Sequence, residues 1–243
     1  MKMLKAILSI LVLFTLIGLV LAEPYGPNGI SRDLDERGNL SGIAPKQVSA
    51  QGGNVTQITI NASSITKRWQ GYYGNISGRI RLDDAQGNTM YDWTNAGFSP
   101  IGTIFAANQT VTDWSNVICL NLTGDDIPRQ GINATILEQM YGMALSDGDG
   151  VDETFAGTES ITIGTTTLSN CPSTHIYQNN QSQNTVWNET LLTQNQSRSV
   201  IYAAKVDQDT VGFDGKTWDF QMIVGENGPQ QGPTQYQFYV ELS

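Results

Sequence analysis

Residues 199–206 read SVIYAAKV and residues 235–242 read QYQFYVEL, and these two stretches decide the fold class. The first holds an unbroken apolar run over residues 200–204, which is typical of a strand buried on both faces. The second is apolar at every second position from Tyr236 to Leu242, which predicts a strand with one buried face. Both stretches are rich in β-branched and aromatic residues, so they indicate a β protein.

More short segments of this kind follow one another along the chain, separated by Gly, Asn, Asp or Pro. They are VTQITI (55–60), NISGRIRL (75–82), SITIGTTTL (160–168) and TWDFQMIV (217–224). Turn-forming residues at 83–88 (DDAQGN) lie between NISGRIRL and TMYDW (89–93), which predicts a hairpin. The acidic pairs Asp83–Asp84 and Asp125–Asp126 are therefore interpreted as turn residues.

One segment has helical instead of strand spacing. In INATILEQMYGMAL the apolar residues Ile136, Leu137, Met140 and Tyr141 share one helical face, and Asn133 stands at the predicted N-cap. We therefore predict an all-β fold, an antiparallel β-sandwich of Ig-like or jelly-roll-like type, with one short helix near 133–145.

The N-terminus predicts export. Lys2 and Lys5 precede an uncharged apolar run of 16 residues (6–21), and the small residues Val20 and Ala22 then precede a polar stretch. This is the order of a cleaved signal peptide at 1–22. An uncleaved membrane anchor and a pilin-type leader are the alternatives, but a spanning helix needs about 20 apolar residues, and no basic-Gly processing site precedes the run.

The remaining chain divides into two parts. Residues 23–53 are rich in Gly, Pro and charge without periodicity, which predicts an extended N-terminal arm. Residues 54–243 are predicted to form a single β-sandwich domain.

The net charge of −10 argues against a nucleic-acid partner, because phosphate binding needs a basic face. Only 15% of the residues are charged, so Asn, Gln, Ser and Thr must supply the polar surface. Such a surface is more typical of extracellular than of cytosolic proteins.

The two cysteines, Cys119 and Cys171, are too far apart for a redox or metal motif. In an exported chain they predict one disulfide. The alternative is a pair of buried free thiols.

Ten of the 18 asparagines begin an Asn-x-Ser/Thr sequon, well above chance. They predict N-glycosylation at exposed positions; the alternative is an Asn- and Thr-rich β surface that forms sequons incidentally. The ten are Asn39, Asn54, Asn61, Asn75, Asn108, Asn121, Asn133, Asn180, Asn188 and Asn195.

The segment SDGDGVDE (146–153) is the best candidate for a ligand site. Asp147, Asp149, Asp152 and Glu153 offer carboxylates on a Gly-rich loop, which suits a structural Ca²⁺ ion. The spacing is not that of an EF-hand, and an ordinary acidic turn is the alternative; no other cofactor is expected.

The segment WQGYYG (69–74) is the second candidate. Trp69, Tyr72 and Tyr73 are the candidate residues of an exposed platform for sugar stacking, but the favoured interpretation is a core residue with tyrosines at the sheet edge.

Nothing indicates an enzyme. A Ser-His-Asp arrangement would need His175, the only histidine, and no GxSxG motif accompanies it. A zinc site would need several His or Cys ligands. No catalytic residue is assigned.

The segments GNVTQITI (53–60), SITKRWQGYYGNISGRIRLDDAQGNTMYDW (64–93), GVDETF (150–155) and GFDGKTWDFQMIVGENG (212–228), together with QYQFYVEL, resemble secreted Asn-rich β proteins of archaeal cell surfaces. The resemblance implies location and fold, and it implies no catalytic residues. Some such proteins form filaments in which an N-terminal arm completes a neighbour's sheet. The arm at 23–53 departs from that pattern, because it has few alternating apolar residues.

Together these observations predict a secreted glycoprotein with a structural or adhesive role at the cell surface, such as that of a subunit of an extracellular filament or envelope layer. Its expected partners are copies of itself, other surface proteins or glycans, and contact with the membrane is expected only if the N-terminal segment stays uncleaved. The alternatives are a carbohydrate-binding module that uses exposed aromatics and a carboxylate-based hydrolase.

Overall fold

The structure is a computed structural model that describes residues 23–32, 35–36, 38, 45–93, 101–123, 132–195, 197, 199–227 and 232–242. The predicted signal peptide at 1–22, the sequon residue Asn39 and the Asp125–Asp126 pair lie outside the described residues.

Strands make up most of the regular structure. In chain order they are β1 Trp69–Gly74, β2 Arg81–Asp83, β3 Thr89–Asp92, β4 Ile101–Ala107, β5 Val117–Cys119, β6 Gly157–Ile163, β7 Thr166–His175, β8 Asn188–Gln194, β9 Ile201–Asp207, β10 Thr210–Val211, β11 Thr217–Trp218, β12 Phe220–Gly225 and β13 Gln237–Leu242. The helices are α1 Ala134–Tyr141 and the single turn α2 Val151–Thr154, and a short 3-10 turn covers Trp114–Asn116.

Seven strands form one antiparallel sheet in the order β13-β4-β9-β8-β7-β6, with β5 also paired to β8. Strands β5 and β7 use different parts of the same edge of β8, because Cys119 lies opposite Leu192 and Ser173 lies opposite Thr190. The central strand β9 is buried from Ile201 to Ala204, which confirms the prediction of a strand covered on both faces.

A second, two-stranded layer covers one face of this sheet. Strand β1 pairs antiparallel with β12, from Trp69 opposite Gly225 to Gly74 opposite Phe220. Its side chains pack with those of α1 and of β9 into one buried cluster that includes Leu137, Tyr202 and Met222. The predicted all-β, sandwich-like fold is thereby confirmed.

The other face of the large sheet has a smaller buried cluster. It contains Phe105, Leu192 and Ile201 from the sheet, together with Trp114 from the 3-10 turn. Apolar residues on both faces therefore hold the central strands in place.

The predicted helix is confirmed, with bounds Ala134–Tyr141. The Asn133 side chain accepts a hydrogen bond from the Ile136 N–H, and Gly142 ends the helix in the left-handed conformation (φ 66°). The additional turn α2 was not predicted. It lies at the end of segment 146–153, which we call the acidic loop.

The predicted hairpin between NISGRIRL and TMYDW is also present, as the β2–β3 pair. Asp84 forms its turn by accepting the N–H groups of Gln86 at 2.9 Å and of Asn88 at 2.8 Å. These hydrogen bonds, the one from the Asn88 side chain foremost, lower the pKa of Asp84.

Four strand predictions differ from the structure. NISGRIRL enters a strand only at Arg81–Leu82 of β2, and TWDFQMIV is divided at Asp219 between β11 and β12, which belong to different sheets. SITIGTTTL is not one strand but the β6–β7 hairpin, which turns at Gly164 (φ 55°). VTQITI forms no strand, although its spacing predicts one, and Val55, Ile58 and Ile60 are exposed. Alternation alone was misleading here, since no sheet edge in the described chain is paired with these residues.

The described part of the 23–53 arm contains a single β-bridge. The Tyr25 N–H donates to the Val240 carbonyl and the Val240 N–H donates to the Tyr25 carbonyl, at 3.2 and 2.9 Å. This bridge places the start of the arm at the outer edge of β13. No helix in the described part of the chain is long and apolar enough to span a membrane.

Candidate functional site

The acidic loop divides its carboxylates between two environments. The Asp147 carboxylate accepts the Ala144 N–H at 2.9 Å, and the Asp149 carboxylate accepts a hydrogen bond from the Thr66 hydroxyl. The Asp149 carbonyl also accepts the Trp69 indole N–H at 2.7 Å. Asp149 therefore fastens the loop to β1 and to the segment that leads into it, and Asp147 closes the loop locally.

Asp152 and Glu153 instead meet Glu138 of α1, with one carboxylate oxygen of each within 4.8 Å of the others. Glu138 is only 3% exposed and accepts the Val151 N–H at 3.0 Å. Burial raises the pKa of Glu138, while mutual hydrogen bonding raises the pKa of Glu153 and lowers that of Asp152. The cluster therefore combines one buried carboxyl with two exposed ones.

The sequence did not indicate Glu138 as a member of this cluster, because the residue belongs to a helix that precedes the loop. Gly150 permits the approach, since a Cβ there would lie 2.9 Å from the Glu138 carboxylate. Binding of Ca²⁺ by these acids stays a prediction.

The aromatic residues of WQGYYG do not share one exposed face. Trp69 is half-buried and packs against Tyr141, Phe155 and Tyr202, at centroid distances of 6.0–6.4 Å. Tyr72 is also half-buried, and its ring meets Phe238 edge-on at 5.4 Å. Both side chains belong to the interface between the two layers.

Tyr73 lies on the opposite side of β1, where it joins two rings that were not singled out in the sequence. Its ring centroid is 5.0 Å from that of Phe213 and 4.9 Å from that of Trp218. Tyr73 and Phe213 are 38% and 37% exposed. We call Tyr73, Phe213 and Trp218 the aromatic cluster.

Cys119 and Cys171 form a disulfide, as predicted. It joins β5 to β7 where both lie along β8, and it indicates an oxidising, extracellular type of environment.

The nine described sequon asparagines fall into two groups. Asn54, Asn61, Asn75, Asn121 and Asn180 are exposed, and Asn108, Asn133, Asn188 and Asn195 are half-buried.

Two of the half-buried asparagines have side-chain contacts that account for their burial. The Asn108 side chain accepts the Val200 N–H at 2.8 Å, and the Asn133 side chain caps α1. The exposed group is therefore the better set of candidates for glycans.

His175 lines a pocket of about 450 Å³ beside Ser173, Ser182 and Gln183. Its Nδ1 lies 2.7 Å from the Asn188 side-chain oxygen. The other lining residues are uncharged, and none of the acids Glu138, Asp152 and Glu153 lines this pocket.

Glu189 is an acid buried inside the protein. It is 0% exposed, one carboxylate oxygen accepts the Ile223 N–H at 2.9 Å, and the other has no hydrogen-bond partner among the described residues. Burial raises the pKa of Glu189 well above its ordinary value.

We expect Glu189→Gln to remove a pH dependence of stability. The pKa of this carboxyl is higher in the folded than in the unfolded protein. Its contribution to stability is therefore complete below the unfolded pKa, about 4.3, and is lost as the pH rises from there through the folded pKa. Urea unfolding should be measured between pH 4.5 and 8. For each pH unit, the free energy of unfolding of the wild type should fall by up to about 1.4 kcal/mol more than that of the variant. The exposed Glu226→Gln serves as control; equal slopes in wild type and Glu189→Gln would contradict the expectation.

Comparison of the chain with known protein families, with curated proteins and with solved structures finds no match in any of the three.

Proposed function

We propose that this protein is an exported glycoprotein of the cell surface, with a structural or adhesive role in which copies of the chain associate. The signal-like N-terminus, the ten sequons and the disulfide support export. The polar, weakly charged composition supports an extracellular surface.

The observation that supports association is the exposure of the apolar side chains in residues 55–60. Val55, Ile58 and Ile60 are 102%, 54% and 79% exposed, although their β-branched side chains and alternation are those of a strand. Exposed apolar residues with strand spacing favour pairing with a sheet edge, because pairing buries them and satisfies their backbone groups.

A suitable edge lies on β6. In the described chain its backbone pairs only with β7, so its other side is available to an added strand. Ile161 and Ile163 alternate on β6 and pack in the second buried cluster. A neighbour's Ile58 and Ile60, spaced in the same way, would extend that apolar face.

Association is tested with two variants of equal charge. We expect Ile58→Asp/Ile60→Asp to abolish association, because it places charges in the interface. The matched control, Gln57→Asp/Thr59→Asp, changes the other face of the same segment and should still associate. Neither variant alters a sequon.

The measurement is light scattering with size-exclusion chromatography over a range of concentrations, followed by electron microscopy of the largest species. A wild-type glycoprotein that stays monomeric throughout would contradict the proposed association. Labelled electron microscopy of native cells would test the location, and label confined to the cytoplasm would overturn the proposal of export.

A further inference from the structure

The sequon at Asn180 lies in a tight turn. Gln178 and Gln181 exchange backbone hydrogen bonds of 2.9 and 3.0 Å, and the two residues between them, Asn179 and Asn180, have φ of 48° and 60°. This is the geometry of a type I′ turn, which asparagine accommodates well. Asn180 is exposed at the tip of the turn.

The turn is fastened to the loop that carries Phe213 of the aromatic cluster. The Asn179 N–H donates to the Gly212 carbonyl, and the Asn180 N–H donates to the Phe213 carbonyl, both at 2.8 Å. The backbone of the glycan acceptor is thereby fixed directly beside Phe213.

Exposed aromatic side chains lie near Asn180 in the chain or contact Phe213. Phe213 and Tyr73 of the aromatic cluster present 37% and 38% of their surface, and Tyr177, three residues before the acceptor, presents 53%. Asp214 accepts the Trp218 indole N–H at 3.0 Å and the Lys216 backbone N–H at 3.0 Å, which holds the loop around Phe213 in place.

We propose that the aromatic cluster and Tyr177 form the docking surface for the N-linked glycan of Asn180 in the same chain. The inference rests on the glycosylation in the proposed function. A pyranose ring has an apolar face of C–H groups that stacks on an aromatic ring, so the first sugars of an Asn180 glycan cover rings that are otherwise exposed to water.

Asn180 is chosen among the sequons because its backbone N–H donates to the Phe213 carbonyl. Asn108, Asn133, Asn188 and Asn195 are half-buried. Asn54 and Asn61 lie in the exposed segment without strands. Of the exposed acceptors, Asn180 has a hydrogen bond to the backbone of an exposed aromatic residue.

The test uses the secreted protein from a host that performs N-glycosylation. Ser182→Ala removes the sequon while Asn180 and its turn stay unchanged, and Ser182→Thr retains the sequon as the control. Glycopeptide mass spectrometry reports occupancy. We expect Asn180 to be occupied and Ser182→Ala to raise the unfolding equilibrium constant about two- to tenfold, the range of a ring-stacking contact.

A second pair of variants separates stacking from a general effect of the glycan. In a Phe213→Leu background, Ser182→Ala should change the unfolding constant much less than in the wild type. Hydrogen exchange of the wild type before and after enzymatic deglycosylation gives an independent readout, even if Phe213→Leu fails to fold. Exchange in residues 211–218 should become faster when the glycan is removed.

An unoccupied Asn180 with occupied Asn54, Asn61, Asn75 or Asn121 would overturn this inference and leave the proposed function intact. Absence of glycans at every sequon would overturn both the inference and the glycosylation in the proposed function. If Asn180 is occupied but removal of its glycan changes neither hydrogen exchange nor stability, the proposed docking of the glycan is wrong and the proposed glycosylation still stands. Binding of a free sugar to these rings in the protein glycosylated at Asn180 would also overturn the inference, because the attached glycan would then leave the rings open.

Discussion

Replacement of Gly225 by alanine is expected to destabilise the protein by about 3–5 kcal/mol, from overpacking and the loss of buried hydrogen bonds. A Cβ at this position would overlap the ring of Tyr141. Tyr141 is only 1% exposed, so its ring has no open space into which to move.

The environment of Gly225 is also a hydrogen-bond network of tyrosines. The Gly225 N–H donates to the Tyr202 hydroxyl at 3.1 Å, and its carbonyl accepts the Tyr236 hydroxyl at 2.6 Å. The hydroxyls of Tyr141 and Tyr202 are 2.7 Å apart. Displacement of the glycine therefore breaks several buried contacts at once.

Gly71→Ala is the matched control in the same two-stranded layer, because a Cβ at Gly71 meets no atom within 4 Å. Urea unfolding should show Gly71→Ala at or above wild-type stability and Gly225→Ala far below it. A Gly225→Ala protein with a wild-type unfolding midpoint would refute the packing described for Tyr141.

Removal of the disulfide is expected to destabilise the protein by roughly 3–4 kcal/mol, the loop-closure entropy for this loop length. Cys119 and Cys171 are 52 residues apart in the chain, and the loop between them contains α1, the acidic loop and β6. The double variant Cys119→Ala/Cys171→Ala releases this whole segment in the unfolded state.

The measurement is urea unfolding of the double variant and of the wild type with and without a reductant. Reductant should lower the wild-type midpoint and leave the variant unchanged. A wild-type midpoint that does not respond to complete reduction, verified by thiol titration, would contradict this prediction.

The strands that the sequence indicated were mostly those with one buried face or a long apolar run. Strands β9 and β13 were recognised for these reasons. Strands β4 and β8, which lie in the middle of the sheet, were not individually predicted. In β8 the polar residues Glu189, Thr190 and Thr193 are buried, so its polarity does not report its environment.

The candidate sites show more clearly that local sequence does not report which residues meet in the fold. The acidic segment was recognised by its composition, but Glu138 joins Asp152 and Glu153 only because α1 packs against α2. The aromatic cluster brings Tyr73 together with Phe213 and Trp218, which are at least 140 residues away in the sequence. No local pattern encodes contacts over that separation.

The sequence by itself determined the all-β class, the bounds of α1 to within a few residues and the β2–β3 hairpin, because periodicity, capping and turn chemistry are local properties. It also indicated the pairing of the two cysteines, because a chain with two cysteines offers one intramolecular pairing. The tertiary structure alone decided which strand-like segments enter the sheet. It left 55–60 exposed, it buried Glu189, and it separated Tyr73 from Trp69 and Tyr72. The physical reason is that burial and edge pairing depend on neighbours that the fold brings together from distant parts of the chain.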